Sequence, residues 1–229
     1  MIITIDGPAG SGKSTAARRL AQRLDISYLN TGAMYRAVAY QALEEAVRCD
    51  DSDALTELTR RLVLDLDFGP NGTRVLVNGR DVSEAIRSLK VSRATSSIAS
   101  VQPLRDLLVE RQRDIGMSLG SFVSEGRDQG SVVFPDADVK FVMEATPERR
   151  AWRRFDDTSA VDETVTYDEV LAHVTQRDAV DAVQWEPLLK PGAAILIDTT
   201  ELTIEEVTQE LEGHVRRLMN DPCNLPLQR

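Results

Sequence analysis

Gly7-Pro8-Ala9-Gly10-Ser11-Gly12-Lys13-Ser14-Thr15 satisfies the pattern G-x-x-x-x-G-K-[ST]. It follows the apolar run Ile2-Ile3-Thr4-Ile5-Asp6, which reads as a buried strand, and it opens a helix expected over Lys13 to Leu24. A strand, this loop and a helix in succession are the context a P-loop requires. Its glycines let the chain curl so that backbone N–H groups face an anion, and the helix N-terminus adds positive potential. Gly7 to Thr15 are therefore the expected ATP-binding segment. Lys13 is expected to reach the β- and γ-phosphates, and the Ser14 hydroxyl to join a Mg²⁺ shell.

Outward from this loop, apolar β-rich runs alternate with helical periodicity. Ile26 to Leu29 reads as a second strand, and Thr31 as the cap of a helix reaching about Arg48. Further strands are expected at Phe122 to Glu125, Val139 to Met143 and Ala194 to Ile197. Thr146-Pro147-Glu148 is a helix start with proline at the first helical position. Thr166-x-x-Glu169 and Thr203-x-x-Glu206 match the capping box. Strands separated by helices predict an α/β chain: a three-layer P-loop NTPase fold with a parallel central sheet. One region breaks the rhythm. Leu64, Leu66 and Phe68 alternate with Asp65 and Asp67; Pro70-Asn71-Gly72, Val75, Val77 and Asn78-Gly79 follow, so a small antiparallel meander is expected over Leu64 to Val82. Asp156 to Thr164 reads as an acidic mobile loop, and the tail from Asp221 as frayed.

Composition narrows the function. At 229 residues the chain predicts a single domain with a sizeable insertion. Net charge is −10, from 27 basic and 37 acidic side chains, which disfavours a nucleic-acid binder but leaves room for a small anion in a locally basic cleft. Lys13, Lys90, Lys140 and Lys190 are the only lysines; every other basic residue is arginine, whose planar fork suits phosphate oxygens. No apolar run approaches a membrane span, and Met1 to Gly7 lack a basic leader, so a cytoplasmic protein is expected. Cys49, Cys223, His173 and His214 are too scattered for a local metal motif. Neither a GTPase-type N-K-x-D nor an apolar run ending in Asp-Glu is present, so size favours a small-molecule kinase.

Two further segments are more specific: Thr31-Gly32-Ala33-Met34-Tyr35-Arg36 and Glu125-Gly126-Arg127-Asp128-x-Gly130. With the P-loop, the meander, Val132 to Ala137, Pro187-Leu188-x-Lys190-Pro191 and Ile197 to Thr200, they resemble the bacterial cytidylate (CMP/dCMP) kinase family along almost the whole chain. The resemblance implies a P-loop kinase with a nucleoside-binding β insertion at about residues 63–85 and a lid at about 153–180. It places Arg36 and Arg127 on the acceptor phosphate, beside Thr31 where serine is more usual. It pairs Arg105 with Asp128 on the cytosine edge, puts Ser96 near the nucleoside, and sets Arg177 and Asp181 on the sugar. Arg153 and Arg154 match lid arginines that close on ATP. Lys13, Arg36, Arg127, Arg153 and Arg154 are thus the implied catalytic set. The implied reactants are ATP with CMP or dCMP, in a monomer that binds neither nucleic acid nor membrane.

The chemistry suits that set. A nucleoside monophosphate has a second phosphate pKa near 6, so its oxygen is already anionic at neutral pH and no general base is required. Catalysis then reduces to aligning and neutralising two phosphates, work for Lys13, arginines and Mg²⁺. One position departs from the family. Gln184 stands where the resemblance implies a phosphate-binding arginine three residues past Asp181. A neutral amide supplies no charge, so weaker acceptor binding or slower transfer is expected. That loss keeps two alternatives open: a nucleotide-binding regulatory module with impaired turnover, and a P-loop kinase for another small acceptor.

Overall fold

The structure, a computed structural model, describes residues 1–69, 72–159 and 165–220. In chain order the first half holds β1 (Ile2–Asp6), α1 (Lys13–Leu24), β2 (Ser27–Asn30), α2 (Thr31–Glu44), α3 (Ser52–Arg61), β3 (Leu64–Gly69), β4 (Gly72–Val77), β5 (Arg80–Asp81), α4 (Leu89–Ile98) and α5 (Gln102–Leu119). The second half holds β6 (Phe122–Glu125), β7 (Val139–Glu144), α6 (Pro147–Ser159), α7 (Tyr167–Trp185), β8 (Ile195–Asp198) and α8 (Ile204–Asn220). Residues 1–26 with 121–229 form one compact unit, and residues 27–120 form another.

In the first unit, four strands lie parallel in the order β6-β1-β7-β8. Ile3, Ile5, Phe122, Val123, Phe141 and Val142 are fully buried there, as expected of strands covered on both faces. Helix α1 packs on β1, β6 and α8, and α6 packs on α7. The carboxyl ends of β1, β6, β7 and β8 carry Asp6, Glu125, Glu144 and Asp198. That end of a parallel sheet is where ligands bind in open α/β folds.

The second unit gathers Met34, Val38, Leu55, Leu58, Val75, Val77, Ile98, Leu104 and Leu108 into its own core. The expected meander is present: β3 pairs antiparallel with β4, and β4 with β5. Val77 pairs with Arg80 across Asn78-Gly79, whose φ values of 50° and 79° are those of a type I′ turn. The other turn, at Pro70-Asn71, lies outside the described residues.

Several boundaries differ from expectation for local reasons. Asn30, not Thr31, caps α2, its side-chain oxygen accepting from Ala33 N–H at 3.1 Å. The helix ends at Glu44 rather than near Arg48 because Ala46 turns left-handed at φ 53°. Val47 N–H then bonds Ala42 O and Ala46 N–H bonds Leu43 O, closing the helix as a Schellman motif. The same closure at Asp25 commits Ile26 N–H to Ala21 O, which starts β2 one residue later than expected. Strands β7 and β8 each extend one residue further than expected, and β8 also begins one residue later. Asp156 to Ser159 belong to α6 rather than to an acidic loop, whereas 160–164 and the tail from 221, with Cys223, lie outside the described residues. Both capping boxes are formed, at Thr166/Glu169 and Thr203/Glu206.

Candidate active site

The loop between β1 and α1 has the form its sequence demands. Gly7 sits at φ 134°, and a Cβ there would collide with the Met143 carbonyl oxygen. Gly12, at φ 90°, turns the chain into α1 without a side-chain cap. The loop's carbonyls are bonded within the unit. Pro8 O accepts from Lys13 Nζ at 2.6 Å and from Ser11 Oγ at 3.1 Å. Ala9 O accepts from Arg150 Nη1 at 3.1 Å, and Ser11 O from Thr199 Oγ1 at 3.1 Å. Lys13 is almost fully buried, and that burial, with repulsion from Arg127, holds its ammonium well below its ordinary pKa. An entering phosphate would relieve both penalties.

Ser14 Oγ donates to Glu125 Oε1 at 3.0 Å, and Glu125, the last residue of β6, is buried. Asp6, at the end of β1, accepts from Gln129 N–H at 2.8 Å and Gly130 N–H at 2.7 Å. Burial pushes the Asp6 carboxyl up to about 7; the two backbone bonds oppose the rise, and the charge of Asp128 adds to it. Residues 129–133 form a single π-helical turn, with Asp128 just before it and Val133 N–H bonded to Asp128 O. Gly130 permits this approach, since a Cβ would stand 2.7 Å from Thr4 Oγ1 and 3.3 Å from Asp6 Oδ2.

Beside that turn lies a cationic cluster. Asp181 Oδ2 accepts from Arg127 Nε at 3.2 Å and from Arg177 Nε at 3.1 Å. Two guanidinium groups share one carboxylate, so the cluster keeps a net positive charge. Burial and the nearby Arg177 lower the Arg127 pKa. Gln184 lies seven residues after Arg177 on α7, on the same side as Asp181, and its backbone oxygen accepts from Ser131 Oγ at 2.7 Å.

On α6, Arg153 donates to Thr199 Oγ1 at 3.2 Å and to Thr199 O at 2.6 Å; Arg154 is on the same helix, partly buried. Trp152 and Phe155 of α6 pack with Tyr167 of α7, ring centroids 4.8 to 6.3 Å apart, so the two helices are joined by aromatic contact. Trp185 packs with Val142 and Leu188, and His173 is exposed.

The P-loop, Arg127, Asp128, Arg153, Arg154, Arg177, Asp181 and Gln184 therefore all belong to the first unit. Thr31 and Arg36 on α2, Ser96 on α4 and Arg105 on α5 belong to the second, where α2 and α4 pack together. Thr31 is buried at the start of α2, and Arg36 folds back so that its Nη1 would lie 3.4 Å from a Cβ on Gly32. Two further residues stand at the site without a motif to mark them, Glu125 and Arg150. A carboxylate ending the strand beside the P-loop strand was the available signal for Glu125. Nothing in the sequence marked Arg150, whose guanidinium is bidentate on Asp178 and also reaches Ala9 O and Ala145 O.

Fold and site together define a P-loop phosphotransferase. A family profile described as cytidylate kinase matches residues 3–217. A cytidylate kinase from Geobacter sp. (strain M21) is 44% identical over 219 residues, covering 94% of this chain and 93% of that protein. One from Clostridioides difficile (strain 630) is 41% identical over 216 residues, covering 94% and 98%. A crystal structure of an uncharacterized protein from Eubacterium ventriosum shares the fold at TM-score 0.53 and 13% identity, covering 95% of this chain and 98% of that one. The chain belongs to the cytidylate kinase family.

Proposed function

We propose that this protein transfers the γ-phosphoryl group of ATP to CMP or dCMP, giving ADP and CDP or dCDP. The observation that carries the reading is the Arg127–Asp181–Arg177 cluster, with Asp128 next to it, on the unit that holds the P-loop. An acceptor-phosphate oxygen, already anionic, attacks the γ-phosphorus as the bond to the ADP oxygen breaks. Lys13 exchanges the Pro8 carbonyl for phosphate oxygens, while Arg127 neutralises the acceptor. Asp128 accepts from the exocyclic amine of cytosine, where uracil presents a carbonyl instead. Family resemblance assigns Thr31 and Arg36 to the acceptor phosphate, Ser96 and Arg105 to the nucleoside, and Arg177 and Asp181 to the sugar. Arg153 and Arg154 belong to the lid at about residues 153–180, and the meander near 63–85 is the nucleoside-binding insertion.

The Ser14 hydroxyl and Glu125 carboxylate are hard oxygen donors beside the P-loop, a set that fits Mg²⁺. Among the described residues no group of three acidic, histidine or cysteine side chains could cage a metal alone. Mg²⁺ keeps waters and phosphate oxygens as ligands, which suits this sparse set, and when bound it neutralises developing phosphate charge. No described helix is long and apolar enough to cross a membrane. We read the protein as a cytoplasmic monomer acting on free nucleotides and not on nucleic acid, in keeping with its net charge of −10.

A coupled assay for ADP with CMP, dCMP and UMP tests the proposal. CMP and dCMP should release ADP faster than UMP does. No CMP-dependent ADP at high enzyme concentration would refute catalysis and leave the regulatory-module reading. A fresh base in the pH–rate profile with a different acceptor would favour the other-kinase reading.

A further inference from the structure

The residue after Asp128 is a buried glutamine with both ends of its amide engaged. Gln129 Oε1 accepts from Ser124 Oγ at 2.7 Å, and Gln129 Nε2 donates to Asp128 Oδ1 at 3.2 Å. Ser124, Gln129 and Asp128 are 0%, 1% and 5% exposed, so the relay is sealed from bulk water. The backbone around it is held as well. Asp6 takes the N–H groups of Gln129 and Gly130, and the π-helical turn fixes Asp128 O through Val132 and Val133 N–H. With the backbone fixed, what is left to set is the side-chain torsions of Asp128, and the Gln129 amide bonds one of its carboxylate oxygens directly.

A hydrocarbon of similar volume would fill the same space while leaving the Ser124 hydroxyl and an Asp128 oxygen each short of a partner. A carboxylate oxygen accepts, as the cytosine amine requires, whereas uracil presents a carbonyl that is itself an acceptor. We infer that Gln129 is a specificity-positioning residue: anchored on Ser124, it holds the Asp128 carboxylate in the orientation that selects cytosine over uracil nucleotides. This rests on the reading of Asp128 as the residue that meets the base.

The test is kcat/KM for CMP and for UMP in wild type, Gln129→Met, Ser124→Ala, Asp128→Ala and the double variant Gln129→Met with Asp128→Ala. Gln129→Met should lower the CMP:UMP ratio about tenfold, mostly through KM for CMP, the scale of one lost hydrogen bond to a charged group. Ser124→Ala, a smaller change, should lower it roughly threefold and decides the matter if Gln129→Met does not fold. In the Asp128→Ala background Gln129→Met should add nothing, because a residue acting through Asp128 has nothing left to position. A ratio unchanged in both single variants, or an equal fall in the Asp128→Ala background, overturns the inference. A wild type without CMP-dependent ADP instead overturns the reading beneath it.

Discussion

Two regions of one unit gather positive character, and they do it in different ways. The P-loop uses nine consecutive residues, a helix N-terminus and one buried lysine; its shape depends on backbone angles that only glycine adopts easily. The Arg127–Asp181–Arg177 cluster uses side chains from the segment after β6 and from α7, half offset by a shared carboxylate. A backbone site tolerates almost no change, because every atom of the cradle is also an atom of the fold. A side-chain site can be retuned one residue at a time, and Gln184, one turn past Asp181 on α7, is a position where that can be done.

The sharpest way to break this contrast is Gly7→Ala. The new Cβ would meet the Met143 carbonyl oxygen, part of β7 and unable to yield, at a backbone angle an L residue rarely adopts. A stability loss of at least ~5 kcal/mol is expected, read as a Tm lower by more than about 10 °C or as failure to fold. An alanine variant as stable as wild type would show that the loop relaxes and is not the rigid partner.

Asp6 joins the two regions, since it leads into Gly7 while its carboxylate holds the turn after Arg127. Its folded pKa is raised by burial to about 7, above the ordinary 3.8. Between those values the folded protein binds a proton that the unfolded chain releases, so this contribution to stability is full at low pH, falls as pH rises, and is gone above about 7. Asp6→Asn cannot titrate. Urea unfolding of both proteins at about pH 5 and about pH 8 should therefore show wild type losing about 3 kcal/mol relative to the variant over that interval. A parallel pH dependence would mean that Asp6 stays ionised in the fold, with its backbone bonds outweighing burial.

These examples also show which parts of the molecule could be read from its sequence. The P-loop, the bounds of α1, the capping boxes and the Asn78-Gly79 turn depend on neighbours within about five residues, so local pattern suffices. The end of α2 depends on left-handed Ala46, where no glycine announces the stop, and the start of β2 on the commitment of Ile26 to closing α1. Site residues divide the same way. Lys13 and Ser14 are marked by motif, and Arg127 and Asp128 by resemblance. Glu125 on Ser14 and Arg150 on Asp178 are contacts between residues 111 and 28 apart, which no periodicity reveals. Gln129 is not legible either, because an amide after Arg127-Asp128 looks like any polar turn residue until its burial is known.

The smallest expected effect lies in the region that can be retuned. Position 184 follows Arg177 by seven residues and Asp181 by three, so an arginine there would extend the cationic face of α7 by one turn. Gln184 is partly buried, leaving a longer side chain a route along the helix surface, and its backbone bond from Ser131 would survive the exchange. The new guanidinium has two possible partners, the Asp181 carboxylate and the incoming phosphate. Asp181 already serves Arg127 and Arg177, so the dianion is the stronger attraction. Gln184→Arg should therefore lower KM for CMP about threefold to tenfold, as expected when a neutral hydrogen bond becomes charge-assisted, and the gain should shrink with added salt. An unchanged KM at low salt would show that the arginines assigned to the phosphate, Arg36 and Arg127, already saturate it. The site would then depend on how its cations are held rather than on how many there are, which is the property it would share with the P-loop.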